Sequence, residues 1–186
     1  EVLISEDLGK INQGQSEYLK DALENTQRMI GLIKDLLDVS RIEENKLEIK
    51  NQLASLEDIV KEVICEFSPL IRAKNCAISL KVLGKIPNLN IDCLKIKQVV
   101  INIISNAIQY NERKGTIEVT VERKGNDVLF SCHNIGIGIG SEEKKKIFTK
   151  FYRSEEAMAM VAGGSGLGLF ISKAIIEKSQ GKIWFN

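Results

Sequence analysis

Gly163-Gly164-Ser165-Gly166-Leu167-Gly168-Leu169 opens directly into a helix-like run, Phe170-Ile171-Ser172-Lys173-Ala174-Ile175-Ile176. Glycine reaches backbone dihedrals closed to other residues and lets amide N–H groups approach a ligand closely. Amides exposed where a helix begins suit phosphate oxygens. A second glycine run, Ile135-Gly136-Ile137-Gly138-Ile139-Gly140, follows the strand-like Asp127–Cys132. Two such runs in one short chain predict a nucleotide held between them. Gly136, Gly138 and Ile139 then lie at one end, and Gly164, Ser165, Gly166, Leu167 and Gly168 at the other.

Between the chain start and the glycines, Leu94–Tyr110 reads as a helix with Ile96, Val99, Val100, Ile103, Ile104, Ala107 and Ile108 on its apolar side. Asn102, Asn106 and Gln109 share another face, with Tyr110 beside them. Amides within an apolar helix are costly unless something pairs with them. An asparagine oxygen can complete the shell of a Mg²⁺ that otherwise keeps waters and phosphate ligands, which makes Asn106 the metal candidate. An internal helix-to-sheet hydrogen bond serves equally well for Asn102. Asn134, at a strand end, carries both an acceptor and donors for a base edge. His133, the sole histidine, should point opposite to its neighbours, in a structural or solvent-facing role and not a catalytic one. In Phe148–Arg153, Lys150 and Arg153 are cations able to meet phosphates, whereas Phe148 and Phe151 read as core. Residues 154–162 lack periodicity and predict a mobile lid loop.

Of 186 residues, 44% are apolar and 27% charged, with a net charge of +1. That supports a real core and excludes bulk attraction to nucleic acid. Cys65, Cys76, Cys93 and Cys132 lack metal-ligand spacing and read as buried thiols of an intracellular chain. No signal peptide or bilayer-length apolar stretch is evident, and both ends look cut from something longer.

Residues 1–8 read as a helix end broken at Gly9, residues 12–15 as a turn, and Ser16 as the start of a long helix. Along it Leu19, Leu23, Thr26, Ile30, Ile33, Leu37 and Ser40 recur at alternating steps of four and three, widened by Ala22, Met29 and Leu36. Lys34, Asp35, Asp38 and Arg41 fall off this seam and should be wet. The stripe needs a cover, most simply a second copy giving a four-helix bundle; the alternative is the chain's own second domain. Further on, Leu47–Ile49 predicts a strand, 55–74 a helix, and Cys76–Val82 and Asn90–Asp92 strands. Thr116–Val121 and Asp127–Cys132 form a hairpin about Lys124-Gly125-Asn126. A helix over 168–179 and a strand at Ile183–Phe185 complete a two-layer α/β sandwich, a mixed sheet with helices on one side.

The ordered blocks resemble the sensor histidine kinases of two-component systems over nearly the whole chain. Leu32–Glu43 looks like the end of the second helix of the dimerisation and phosphotransfer domain. Asn102 to Tyr110 looks like the family's N box, Asn134–Gly138 its first glycine box, Ile147–Arg153 its F box and Gly163–Leu169 its second glycine box. The resemblance implies an α/β sandwich of the histidine kinase/Hsp90-like ATPase type behind an α-helical hairpin. Residues 1–46 would be a truncated hairpin and 47–186 a catalytic ATP-binding domain without its last strand. It further implies ATP and Mg²⁺ between the N-box helix and the lid. The γ-phosphoryl group goes to a histidine on the hairpin's first helix, usually within a homodimer, and then to a response regulator receiver domain. By family role Asn106 ligates Mg²⁺, Asn102 and Tyr110 line the phosphate and base region, and Gly164, Gly166 and Gly168 shape the phosphate end. A cytoplasmic location is implied, within a parent that can be membrane-anchored elsewhere.

Three departures stand out. The phosphoacceptor histidine belongs upstream of Glu1, so no residue of this chain is assigned as catalytic, and His133 is no substitute. Asn134 and Gln109 stand where the family normally has an aspartate and a lysine or arginine. Loss of a charge-assisted bond, about 1.5–3 kcal/mol, corresponds to roughly tenfold or more in affinity, so nucleotide binding is expected to be weaker than in typical members. The final strand is absent. The alternative reading is a degenerate kinase serving as a signalling scaffold with little or no nucleotide binding.

Overall fold

Asn12 fixes where the first helix begins. Its side-chain oxygen accepts from the Gln15 backbone N–H at 2.9 Å, and Gln15 Oε1 accepts in return from the Asn12 N–H at 2.9 Å. This reciprocal cap satisfies two otherwise orphaned donors. Helix α1 therefore spans Gln13–Glu43 in the computed structural model and absorbs the turn expected at 12–15. The structure describes Ser5, residues 9–112, 114–161 and 163–186. The helix end expected at residues 1–8 thus lies outside the described residues, Ser5 apart, and α1 is the one helix of the expected hairpin among them.

The apolar stripe of α1 faces outward: Ile33 is 57% and Leu37 54% exposed, with Met29, Ile30 and Leu36 similarly open. The side turned to the rest of the chain is another one. Asp38 and Val39 are buried, and Asp35 and Ile42 half-buried. The expectation of wet aspartates at 35 and 38 is corrected, because each carboxylate finds polar partners across the seam. Lys34 and Arg41 are exposed as expected.

Beyond α1, strand β1 (Gln52–Ala54) pairs antiparallel with β3 (Leu89–Ile91). Strand β2 (Ala77–Leu83) runs parallel to β4 (Thr116–Lys124), which pairs antiparallel with β5 (Asp127–Asn134). The order is β2-β4-β5. Alternation sends Ile117, Val119 and Val121 of β4 to the dry face, where none is exposed. Helices α2 (Leu56–Glu66), α3 (Ser68–Ala73), α4 (Cys93–Tyr110) and α6 (Gly168–Lys178) lie over that face. Ile104 and Ile108 of α4 are fully buried, each contributing about 1.5–3 kcal/mol of transfer free energy. The two-layer mixed sandwich expected from the sequence is the fold observed.

Local expectations fail where one residue outweighs a pattern. Leu47–Ile49 forms no strand, and the strand falls instead at β1. The helix expected over 55–74 breaks at Phe67, because Pro69 lacks the N–H that a continuous helix needs. The expected lid loop contains a helix, α5 (Glu155–Met160), capped by Ser154 Oγ accepting from the Ala157 N–H at 3.1 Å. Ile183–Phe185 forms no strand; Phe185 places its ring 5.8 Å from Phe148. Phe151, expected in the core, is 63% exposed, and Cys65 is also exposed.

Candidate nucleotide site

Helix α4 is the rail on which the site is built, and both its ends are fixed. At the start, Asp92 accepts from the N–H groups of Leu94 and Lys95 at 3.1 Å each and of Lys50 at 2.8 Å. Burial works to raise the Asp92 carboxyl, but those three backbone donors and the Lys95 charge prevail and hold it below the usual carboxylate range. At the other end Lys74 Nζ donates to the carbonyls of Ile108 and Gln109 at 3.3 and 3.0 Å, a cation on the negative helix terminus.

The end of α4 meets the first glycine run directly. Asn111 bridges to Gly136, and the Glu112 N–H donates to the Ile135 carbonyl at 2.8 Å. A Cβ on Gly136 would stand 2.0 Å from the Tyr110 carbonyl oxygen, so no other residue fits. This crossing brings Tyr110 beside Asn134. Asn134 pairs with Ile117 on the dry face, whereas His133 pairs with Glu118 and is exposed, the solvent-facing one of the two roles left open for it. Asn106, Gln109, Tyr110 and Asn134 are all half-buried. None of their side chains has a hydrogen-bond partner among the described residues.

The middle of α4 meets the second glycine run. Asn102 Nδ2 donates to the Gly168 carbonyl at 3.1 Å and to Ser172 Oγ at 3.2 Å. The internal bond left open for this asparagine is present, made to α6 and not to the sheet. Gly166 has φ +67° with its Cβ position 2.7 Å from the Phe151 carbonyl carbon, which ties the run to the preceding segment. Arg153 donates to the carbonyls of Gly164, Ala157 and Val161, so its guanidinium ties the α5 segment to the glycines. Ser165 Oγ donates to Asp35 Oδ2 at 3.2 Å and accepts from the Leu167 N–H at 3.2 Å. Lys150 pairs with Glu43 and lies 5.8 Å from the Phe170 ring centroid. Leu167 is buried.

Cavities of about 410 and 600 Å³ flank this arrangement. The smaller is lined by Ile137 and Gly138 but also by Glu142, Glu143 and Glu156, whose charges oppose a triphosphate. The larger joins Lys74, Gln109 and Asn111 to Met160 of α5. Among the described residues no cluster of His, Cys, Asp or Glu could hold a metal ion. A Mg²⁺ that arrives on phosphate oxygens needs only one or two protein ligands, and the uncommitted Asn106 amide fits that need. Asp35 and Glu43, which reach the glycine run and Lys150, are the residues that sequence reasoning missed. Helical periodicity marked Asp35 as a solvent position, and nothing in the sequence marked Glu43.

Residues 91–186, which contain α4, both glycine runs and α6, match the family described as Histidine kinase-, DNA gyrase B-, and HSP90-like ATPase. The chain belongs to this family. It is 32% identical to the sensor protein kinase WalK of Staphylococcus haemolyticus over 171 residues, 91% of this chain and 28% of that protein. It is 28% identical to the circadian input-output histidine kinase CikA of Synechococcus elongatus, over 94% of this chain and 24% of that protein. The chain thus spans about a quarter of these relatives. Among solved structures, histidine kinase ThkA in complex with response regulator protein TrrA matches with TM-score 0.70 and 26% identity, covering 98% of this chain and 52% of that one. ShkA in complex with AMPPNP, at 22% identity and TM-score 0.76, supports the fold. The resemblance to sensor histidine kinases, and the ATPase sandwich it implied, are borne out.

Proposed function

We propose that this chain binds Mg-ATP between α4 and the two glycine runs and is the catalytic part of a protein-histidine kinase in a two-component pathway. One observation carries the reading. The helix that leaves Asn106 unpartnered is pinned to the first glycine run by Gly136 and to the second by Asn102. In this reading Asn106 offers its amide oxygen to Mg²⁺, Tyr110 and Asn134 line the base, and the amides of Gly164–Gly168 meet the phosphates. Gln109 and Lys150 lie nearer the phosphates, and Gly138 and Ile139 edge the base. Bound Mg²⁺ would neutralise phosphate charge; the protein's own contribution is positioning, which is most of what phosphoryl transfer requires.

Residues 47–186 form the ATP-binding unit in this reading, and residues 1–46 contribute to a dimerisation and phosphotransfer hairpin whose acceptor histidine lies upstream of Glu1. The half-exposed Ile30, Ile33 and Leu37 stripe supports a homodimer through that hairpin. A response regulator partner is supported by the likeness to ThkA, which was solved with TrrA.

Calorimetric titration with Mg-ATP tests the nucleotide assignment. Binding should require Mg²⁺ and weaken by roughly tenfold or more in Asn106→Ala, about 1.4 kcal/mol or above. Magnesium-independent binding, or an Asn106→Ala variant with unchanged affinity, would overturn it.

A further inference from the structure

Helix α1 lays an acidic edge across the phosphate end of the site. Asp35 Oδ2 accepts from Ser165 Oγ at 3.2 Å, and Glu43 pairs with Lys150. Between them, Asp38 takes Lys95 Nζ at 3.0 Å on one oxygen and Gln98 Nε2 at 2.8 Å on the other. Arg28, further up the same helix, lies where any side chain on Gly163 would be, so α1 also closes over the first glycine of the second run. Burial raises the Asp35 carboxyl above its ordinary value, the Ser165 bond opposes this, and the neighbouring Asp38 charge adds to it. The docked carboxylate is therefore held in a partly desolvated seam.

Ser165 and Lys150 are both residues assigned above to the nucleotide, and both are held by α1 carboxylates. A serine hydroxyl has one hydrogen to donate, so Ser165 cannot serve Asp35 and a phosphate oxygen at once. A phosphate entering there would also place like charge beside Asp35, half-buried and less screened by water, and beside the exposed Glu43. Asp38 differs: its partners Lys95 and Gln98 lie near the start of α4 and are not among the residues assigned to the nucleotide.

We propose that α1 is a latch on the nucleotide site: the Asp35–Ser165 and Glu43–Lys150 contacts and a bound triphosphate exclude one another, while Asp38 keeps the helix hinged at α4. The latch rests on the nucleotide reading above. By linkage, the factor by which latching weakens nucleotide binding equals the factor by which nucleotide loosens α1. A signal that shifts α1 then sets nucleotide affinity without touching the pocket.

The whole chain, as wild type, Asp35→Asn, Glu43→Gln and the double variant, is titrated with the Mg²⁺ complex of a non-hydrolysable ATP analogue. Amide hydrogen exchange is followed across residues 28–43. The double variant should bind about three- to tenfold tighter at low ionic strength, with the gain shrinking as salt screens the removed charges. In the wild type, nucleotide should speed exchange in the latch segment. Tighter binding in the exposed-site variant Glu43→Gln alone supports the latch even if Asp35→Asn folds poorly. Equal affinities across a series that does bind, or exchange unmoved by saturating nucleotide, overturn the latch and leave the nucleotide site standing. Absence of binding in every variant overturns both.

Discussion

The two ends of the candidate site use the same residue type in opposite ways. On the proposed reading, Asn106 at the metal position and Asn134 at the base end are half-buried amides whose side chains have no partner among the described residues. At the phosphate end, Asn102 is bonded to Gly168 and Ser172, Ser165 to Asp35, Arg153 to three carbonyls and Lys150 to Glu43. Asn102 and Asn106 stand one helical turn apart on α4, so position in the turn and not chemistry separates the two fates. The amide facing α6 becomes part of the packing, whereas the one a turn further on keeps a side chain with no partner among the described residues. If the proposed reading holds, the base end is preformed and the phosphate end is held shut by the protein's own groups.

The sharpest way to break this contrast is Gly136→Ala. The added methyl would meet backbone, the Tyr110 carbonyl, and backbone yields less readily than a side-chain tip. Urea denaturation should show a loss of about 3 kcal/mol, at the top of the range for overpacking, together with loss of nucleotide binding. Next comes the asparagine pair. Asn102→Ala removes a donor from the fully buried Ser172 hydroxyl and should cost about 1–3 kcal/mol of stability. Asn106→Ala should leave stability within about 0.5 kcal/mol. Equal melting shifts in the two variants would erase the distinction between the ends.

Asn134→Asp sharpens the base end. A carboxylate restores two charged oxygens facing the base, and binding of Mg-ATP should tighten roughly tenfold in the calorimeter. Unchanged affinity would mean that Asn134 does not meet the base. The smallest effect belongs to the rail shared by both ends. Asp92→Ala should cost about 1 kcal/mol at neutral pH as a lost helix cap. Because the folded Asp92 carboxyl titrates below its unfolded value, its contribution is present above the ordinary carboxylate range. It disappears as pH falls through the lowered folded value. Wild type and Asp92→Ala should therefore converge in stability in acid and separate again near neutrality.

Much of this molecule could be read before any coordinates. The apolar side of α4, the hairpin turn before β5 and the helix after the second glycine run follow from spacing and from residues with few conformational options. Two of the misses share one cause. The start of α1 depended on a reciprocal bond between Asn12 and Gln15, and α5 on the Ser154 hydroxyl. A cap of this kind stabilises a helix that hydrophobic periodicity does not announce. Phe151 shows the same limit from the other side: its φ of +62° in the turn before α5 points a large apolar ring outward. Within the site, the residue types at 102, 106, 134 and 164–168 were legible, but which amide would be consumed by packing was not.

Sequence by itself determined the elements, the apolar faces and the presence of two close-approach glycine runs, because dihedral freedom and periodicity act over a few neighbouring residues. Only the tertiary structure decided that α1 docks by its acidic edge and leaves its apolar stripe in the open. The contacts responsible join residues 57, 107 and 130 positions apart: Asp38 with Lys95, Glu43 with Lys150, and Asp35 with Ser165. Such pairings depend on where the folded sheet and helices place a carboxylate relative to a donor, and no local pattern of charge encodes that distance.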